Sequence, residues 1–420
     1  MRSRSPLTSS PAFMQLWAGQ TASQFGFQVA TLATSTIAIT LLHASNHELG
    51  VLGALQTLAF LLVGLPAGAW VDRWLKRPTM ITADLVRVVA LATVPIAYWM
   101  GVLTLLHLMI VAAILGFATV FFDVAYQSYV PALVGRGLVA DANGRLEATF
   151  QIARVGGPGL GGWLLGVVAA PATYLFTAAT YLFSAVAIWR IREPEPRPDV
   201  SGGAGLLTQI REGVDYVRSE PLLAPLFACI SMAAFFSQGE FVLFPVLVLR
   251  ELGMSATALG MLLSVGAIGG VAGAIVRPRI VRRLGEGRSI VVCDFLGVAA
   301  WLGLPASVHA GRFAVPLIIA VTLVNSFFLT IYNVTQMSLR QRICPPHLLG
   351  RLNATFRFAV WGMMPIGSLA CGLVAEWIGV APALYVFILG ALLAAVLMAF
   401  TPAGRLDTHR DPRRHLPGLA

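Results

Sequence analysis

Charge is scarce in this chain: only 11% of its 420 residues are Asp, Glu, Lys or Arg, against about a quarter in a soluble domain. Many separate apolar stretches of about 20 residues fill the remainder, which excludes a water-soluble fold of this length. Lysine is nearly absent, Lys76 being the only one among 29 basic residues. The net charge of +10 invites a nucleic-acid partner. The arginines refuse it, because they sit in alternate loops rather than on one face. The four cysteines, Cys229, Cys293, Cys344 and Cys371, show no paired spacing for a disulfide framework or a zinc site. The seven histidines likewise lack ligand spacing, so no metal is expected. No strand-linked glycine loop leads into a Lys-Ser/Thr pair, which removes an ATP site. The first apolar stretch has no small-residue cleavage site behind it and reads as a retained helix.

What the chain does have is a set of long apolar spans and an internal repeat. The spans read as 12–42, 49–71, 79–100, 104–131, 142–168, 171–190, 221–249, 255–277, 288–309, 313–339, 351–378 and 381–401. Residues 140–168 recur at 346–374. Gly144-Arg145-Leu146-Glu147-Ala148-Thr149-Phe150 matches Gly350-Arg351-Leu352-Asn353-Ala354-Thr355-Phe356 at all but one position, 206 residues apart. A repeat that long predicts two homologous halves, with a binding site at their interface. The fold class that follows is an all-α polytopic membrane protein of 12 transmembrane helices in two six-helix halves. Basic residues crowd alternate loops, as with Arg73, Lys76 and Arg77, or Arg277, Arg279, Arg282, Arg283 and Arg288. The opposite side holds only Arg250 and Arg312, so both termini are expected in the cytoplasm. Four regions result: a first half at 1–190, a linker at 191–220, a second half at 221–401 and a polar tail at 402–420. The linker opens with a stiff Pro-rich spacer from Glu193 to Pro198. It continues with Leu206, Leu207, Ile210, Val214 and Val217 at helical spacing, the pattern of an amphipathic surface helix that ties the halves together.

Two local patterns carry the most information. Between the second and third spans stands Gly68-Ala69-Trp70-Val71-Asp72-Arg73-Trp74-Leu75-Lys76-Arg77. In the fifth stands Gly157-Pro158-Gly159-Leu160-Gly161-Gly162, a run that bends a helix and admits close contact with another. With these two motifs the chain resembles the major facilitator superfamily over about residues 11–401. In finer grain it is similar to the bacterial drug, macrolide and siderophore (enterobactin-type) exporters. The resemblance implies that Gly68, Asp72, Arg73 and Arg77 latch the halves when the cavity closes to the cytoplasm. The plainer alternative is that the basic residues only hold the loop inside. Leu75 replaces the family's glycine, so the turn must use other dihedrals. In the second half Gly273 is kept but Arg277 stands where Asp would be. The antiporter association of Gly157, Pro158, Gly161 and Gly162 favours export. The arginine common in the fourth span of drug antiporters is missing, with Asp123 present instead. That departure puts the family's standard proton-transfer assignment in doubt and fits the siderophore and macrolide branch better.

An ionisable residue within an apolar span is a functional hypothesis by default. Asp123, Glu147, Arg154 and Glu240 are the proton-coupling candidates. Asp123 and Arg154, on neighbouring spans, read equally as a structural pair. Glu240 has no evident base on its own span and suits proton uptake and release. Asp84 and Arg87, three residues apart, are expected in the charge network around the latch, with Asp294 as the second-half counterpart beside Arg288. Gln20, Gln24 and Gln28 recur every four residues, a polar stripe that must face protein or water. With Tyr126, Gln127, Gln238, Asn325, Tyr332, Asn333 and Arg357 they are the cavity candidates. Such a lining suits amphipathic neutral or cationic molecules. The reading is therefore a proton-driven exporter of amphipathic small molecules in the bacterial cytoplasmic membrane. The resemblance implies that it is not an enzyme, works as a monomer among membrane lipids, and needs no cofactor beyond the proton gradient. A metabolite uniporter or proton symporter, and a lipid transporter on the same scaffold, are the alternatives.

Overall fold

The computed structural model describes residues 7, 10–193, 195, 215, 217–220, 223–343, 355–356, 358–402 and 404. Helix is the regular structure throughout, as membrane segments require: with no water at depth, each backbone N–H must find its carbonyl within the same segment. The first helix, α1 (Pro11–Thr36), starts where Ser10 Oγ accepts the Phe13 N–H, with proline in the first turn. It runs on as a π-helical segment, Ile37–Leu41. Helix α2 (Asn46–Asp72) opens with a capping box in which Ser45 and Glu48 exchange hydrogen bonds. Then come α3 (Lys76–Trp99), α4 (Leu105–Val134), α5 (Val139–Val167) and α6 (Thr173–Trp189). Helix α7 (Leu223–Val246) ends in a second π-helical segment, Leu247–Glu251, 210 residues after the first. Ser255, 210 residues after Ser45, accepts the Ala258 N–H and leads into α8 (Ala256–Leu284). The last four are α9 (Glu286–Ala300), α10 (Ala314–Ile343), α11 (Met363–Ile378) and α12 (Val380–Phe400).

Among the described residues ten helices are long and apolar enough to cross a membrane. The long helices outside that ten are α1 and α5, the two that carry the glutamine stripe and the glycine-proline run. The span expected at 288–309 is present as Glu286–His309, but it is not one unbroken α-helix. Helix α9 stops at Ala300, and a single turn at Gly303–Ala306 and a tighter turn at Ser307–His309 follow. Pro305 explains the break, since it has no N–H to give and its ring crowds the carbonyl four residues earlier. Leu75 sits at φ −67°, ψ 126°, so the turn before α3 is made in ordinary extended geometry. Left-handed glycines instead end α4 at Gly135, end α8 at Gly285 and separate α11 from α12 at Gly379.

Two compact units result, Met1–Leu206 with Val248–Ser264, and Leu207–Leu247 with Val265–Ala420. In the first, α1 packs on α5 and α6, α3 on α4 and α6, and α2 on α4. In the second, α7 packs on α11 and α12, and α9 on α10 and α12. The contacts of α1 and α3 thus recur in those of α7 and α9. A core of Phe13, Leu16, Met80, Phe122 and Ile188 fills the first unit, and one of Leu226, Ile230, Ile290, Ile331 and Met398 the second. Large apolar side chains such as Trp99, Trp189, Trp377 and Phe400 stay exposed, the surface expected of a chain whose surroundings are lipid.

Candidate functional site

The strongest electrostatic feature of the first unit is buried. Arg87 donates to Asp84 at 2.9 Å, and the two are 3% and 0% exposed. The Arg87 guanidinium also lies over the rings of Phe122 at 4.7 Å and Tyr181 at 4.9 Å. A pair this enclosed joins α3 to α4 and α6. It is a core element, where the sequence placed it in the loop network.

The loop between α2 and α3 is held by reciprocal capping. The Glu195 carboxylate, just beyond α6, accepts the backbone N–H groups of Lys76 and of Arg77, the latter at 3.1 Å. It thereby satisfies the start of α3, where its negative charge also meets the positive end of the helix dipole. In return Arg77 donates to the carbonyls of Ile188, at 3.1 Å, and Trp189 at the end of α6. Lys76 Nζ closes the loop on the carbonyls of Val71 and Trp74. Arg73 is exposed. Asp72 is the last residue of α2, and its side chain lies outside the described set. Close packing does not account for Gly68, because a Cβ placed there meets nothing within 4 Å. In the second unit Arg277 donates to Thr335 at 3.1 Å and to Ser338, tying α8 to α10.

The glycine-proline run of α5 touches two neighbours. A Cβ on Gly157 would fall 2.5 Å from Gln28 Cβ, and one on Gly161 would fall 3.3 Å from Val29 Cα, both on α1. On another side, within the same unit, a Cβ on Gly162 would meet Gly260 Cα at 3.1 Å, and Thr257 Oγ1 donates to the Gly162 carbonyl at 2.8 Å. Pro158 is buried in this contact region.

On the α1 stripe, Gln20 is 9% exposed and its Oε1 has no described hydrogen-bond partner, while Gln24 and Gln28 are half-buried. An unpaired buried carbonyl calls for water or a ligand. On α4, Tyr126 stacks on Phe122 at 6.2 Å and lies within electrostatic range of Asp123 and of Glu147 on α5. Glu147 is exposed, accepts from Gln151 at 2.7 Å and also acts on Arg154, two turns on along α5. Arg154 and Gln127 are exposed and Asp123 is half-buried. Asp123, Tyr126, Glu147 and Arg154 therefore gather in one region of the first unit. Outside this region an apolar groove of about 800 Å³ runs between α3 and α4, lined by Trp74, Leu75, Phe117 and Phe121 among others, and shares none of the expected polar lining.

In the second unit two expected lining residues serve packing instead. Gln238 is 5% exposed and accepts from Ser368 at 2.9 Å, tying α7 to α11. Asn325 is 7% exposed and donates to the Gly297 carbonyl at 3.0 Å, tying α10 to α9. Polar groups in a packed interior turn to each other, and helical spacing alone does not show which neighbour they will find. Asn333 is exposed, as is its repeat counterpart Gln127, whereas Tyr332 is buried with an unpartnered hydroxyl. Glu240 is half-buried, and its charged neighbour is Asp294. Asp294 itself is 5% exposed, among Cys229, Cys293 and Tyr332. That corrects its expected place beside Arg288, which is exposed. Arg357, the second-copy residues Gly350–Ala354, and the linker from 196 to 214 lie outside the described residues.

Three participants were not expected from the sequence. Glu195 was assigned to a spacer. Arg340, near the end of α10, is 6% exposed with its guanidinium 3.4 Å from the Phe356 ring centre. Asp294 was placed beside Arg288 as the second-half counterpart of the latch charges. The available signal was the arginine three residues after Asp84, which becomes Gly297 three residues after Asp294.

Comparison with known proteins adds a family. A family model described as transmembrane secretion effector, of the MFS type, matches residues 2–419. The chain is similar to the multidrug efflux pump Tap of Mycolicibacterium fortuitum, at 28% identity over 385 residues, covering 88% of this chain and 91% of that one. It is also 28% identical over 348 residues to Tap of Mycobacterium tuberculosis, covering 78% of each. Among solved structures, the nucleoside transporter NupG aligns with a TM-score of 0.71 at 14% identity, over 94% of this chain and 100% of that one. A bacterial homologue of the iron transporter ferroportin aligns with a TM-score of 0.71 at 17% identity, over 94% and 98%. At these identities the structural likeness is one of fold.

Proposed function

Because the chain belongs to the transmembrane secretion effector family of the major facilitator superfamily, and so is a bacterial plasma-membrane transporter and not an enzyme, we propose that it is a proton-driven exporter of amphipathic small molecules. In this reading twelve spans form two six-helix halves, with α1 and α5 completing the ten apolar helices and both termini in the cytoplasm. The halves expose a central site alternately, and protons moving inward drive substrate outward. The observation that carries export is the similarity to multidrug efflux pumps along 91% of the length of one of them. Drugs are the first substrate class on that basis, and macrolides and siderophores remain part of the proposal on the branch resemblance. The unpaired Gln20 carbonyl and the Asp123, Tyr126, Glu147 and Arg154 region support a polar site in the first half. Gln24, Gln28, Tyr332, Asn333 and Arg357 complete the proposed lining. Gly68, Asp72, Arg73 and Arg77 are the proposed latch, with Gly157, Pro158, Gly161 and Gly162 as the antiporter-type run. The apolar groove of about 800 Å³ favours a second reading, a lipid transporter on the same scaffold. The test is transport in proteoliposomes under an imposed pH gradient, across macrolides, dyes, siderophores and labelled phospholipid. Gradient-dependent movement of a macrolide or dye supports export. Movement of phospholipid alone supports the second reading, and inward proton symport of a metabolite overturns both.

A further inference from the structure

Each unit buries one aspartate on its third helix, and only one of the two is neutralised. Asp84 on α3 has Arg87 at 2.9 Å. On α9 the residue three positions after Asp294 is Gly297, and a Cβ there would already stand 3.3 Å from Phe328 Cβ. Asp294 is 5% exposed, yet no described side chain forms an ion pair or hydrogen bond with it. A lone charge at such depth is costly, so a carboxyl kept there has a use for its neutral form.

The surroundings show where a proton would come from. Helix α7 brings Cys229 and Glu240, both within electrostatic range of Asp294. These residues are 11 positions apart, about 16 Å along one face of α7. Asp294 acts on both, so the three groups share one region of the second unit. Glu240 is half-buried, the less enclosed of the two carboxyls. Intramembrane carboxylates turn to protein or to a water-filled cavity rather than to lipid, which suits Glu240 as the entry side. Helix α10 brings Tyr332, 5% exposed, its hydroxyl unpartnered and within range of Asp294. Farther along α10, Arg340 acts on Tyr332 and covers the Phe356 ring. Helix α9 adds Cys293. Helix α12 has no Asp, Glu, Lys, Arg or His from Val380 to Phe400, and α11 offers only Cys371 and, near its end, Glu376.

We propose that Glu240 and Asp294 form a proton relay in the second unit, with Glu240 as the water-facing member and Asp294 as the buried store. A proton taken up by the Glu240 carboxylate passes through water to the Asp294 carboxylate. One O–H bond breaks as the other forms, and nothing is oxidised or reduced. The Tyr332 hydroxyl donates to Asp294 when it is anionic. This inference rests on the proton-driven reading above and names the groups that would do the work.

Infrared difference spectra of the reconstituted full chain, across an acid-to-alkaline step, test the relay without any substrate. A titrating protonated-carboxyl band is expected in the wild type, lost in Asp294→Asn and altered in Glu240→Gln. Proton flux evoked by ethidium, read by a pH dye inside proteoliposomes, is expected to fall at least about tenfold in Asp294→Asn, while ethidium counterflow stays within about twofold. Asp294→Glu, which keeps a carboxyl, is expected to recover part of the flux, and this separates lost chemistry from lost packing. An Asp294→Asn protein with the wild-type band, or with wild-type coupled flux, overturns the relay. Should the wild type move ethidium with no proton flux, the proton-driven reading itself falls, whatever the infrared band does.

Discussion

Replacing Arg87 by Met strips the base from a carboxylate that is 0% exposed and leaves a chain of similar volume in its place. Removing one member of a buried ion pair costs about 3–5 kcal/mol, because the other charge stays behind without compensation. The two ring contacts of the guanidinium, at 4.7 and 4.9 Å, are lost as well. In a desolvated setting they add on the order of 1–2 kcal/mol. Arg87→Met should therefore remove roughly 4–7 kcal/mol, a large share of the about 5–15 kcal/mol that holds a typical protein folded. The double variant Asp84→Asn/Arg87→Met removes both charges and leaves only an amide to satisfy. It should lie within about 1–3 kcal/mol of the wild type. The measurement is unfolding by SDS titration in mixed lipid-detergent micelles, with both single variants and the double closing a cycle. The reasoning is refuted if the double variant is as unstable as Arg87→Met, or if Arg87→Met unfolds with the wild type. In the first case the cost comes from packing, and in the second the pair is not buried.

Other perturbations address the remaining contacts. Gly157→Leu places a Cβ 2.5 Å from Gln28 Cβ and should destabilise α1 against α5 by at least about 1–3 kcal/mol, read in the same titration. Glu195→Ala uncaps α3 and frees Arg77 from its reciprocal bond, with an expected loss of about 0.5–2 kcal/mol. Faster amide exchange confined to the start of α3 would check it. Asp72→Ala should damage transport far more than folding, and unchanged transport at normal expression would sink the latch. Cysteine accessibility in that variant should shift toward a cytoplasm-open cavity.

The covalent chain determines its class, because composition and span length are averages that neighbours cannot alter. Eleven per cent charge and repeated apolar stretches leave lipid as the only workable surroundings. The internal repeat was legible for a similar reason. Gly144–Phe150 and Gly350–Phe356 align by identity alone. The matching π-helical segments and serine caps, 210 residues apart, carry the same regularity into the backbone. The helix starts at Ser10 and Ser45 rest on local chemistry, since a capping side chain acts within three residues.

Partnership between helices was decided only by the fold. Asp84 and Arg87 were visible as neighbours, yet their burial depends on the rings of Phe122 and Tyr181 from two other helices. Gln238 and Asn325 looked like lining, because periodicity shows which face a residue occupies without showing what stands opposite. Ser368 and the Gly297 carbonyl stand opposite, and they take up the hydrogen bonds. Glu195 meets the start of α3 from more than a hundred residues away, and no local pattern encodes such a contact. The clearest case is Asp294. In sequence it stands six residues after an arginine, and in the fold it stands among two cysteines and a tyrosine, with Glu240 its charged neighbour. Electrostatic environment is a property of the space around a charge, and helix packing decides what fills that space.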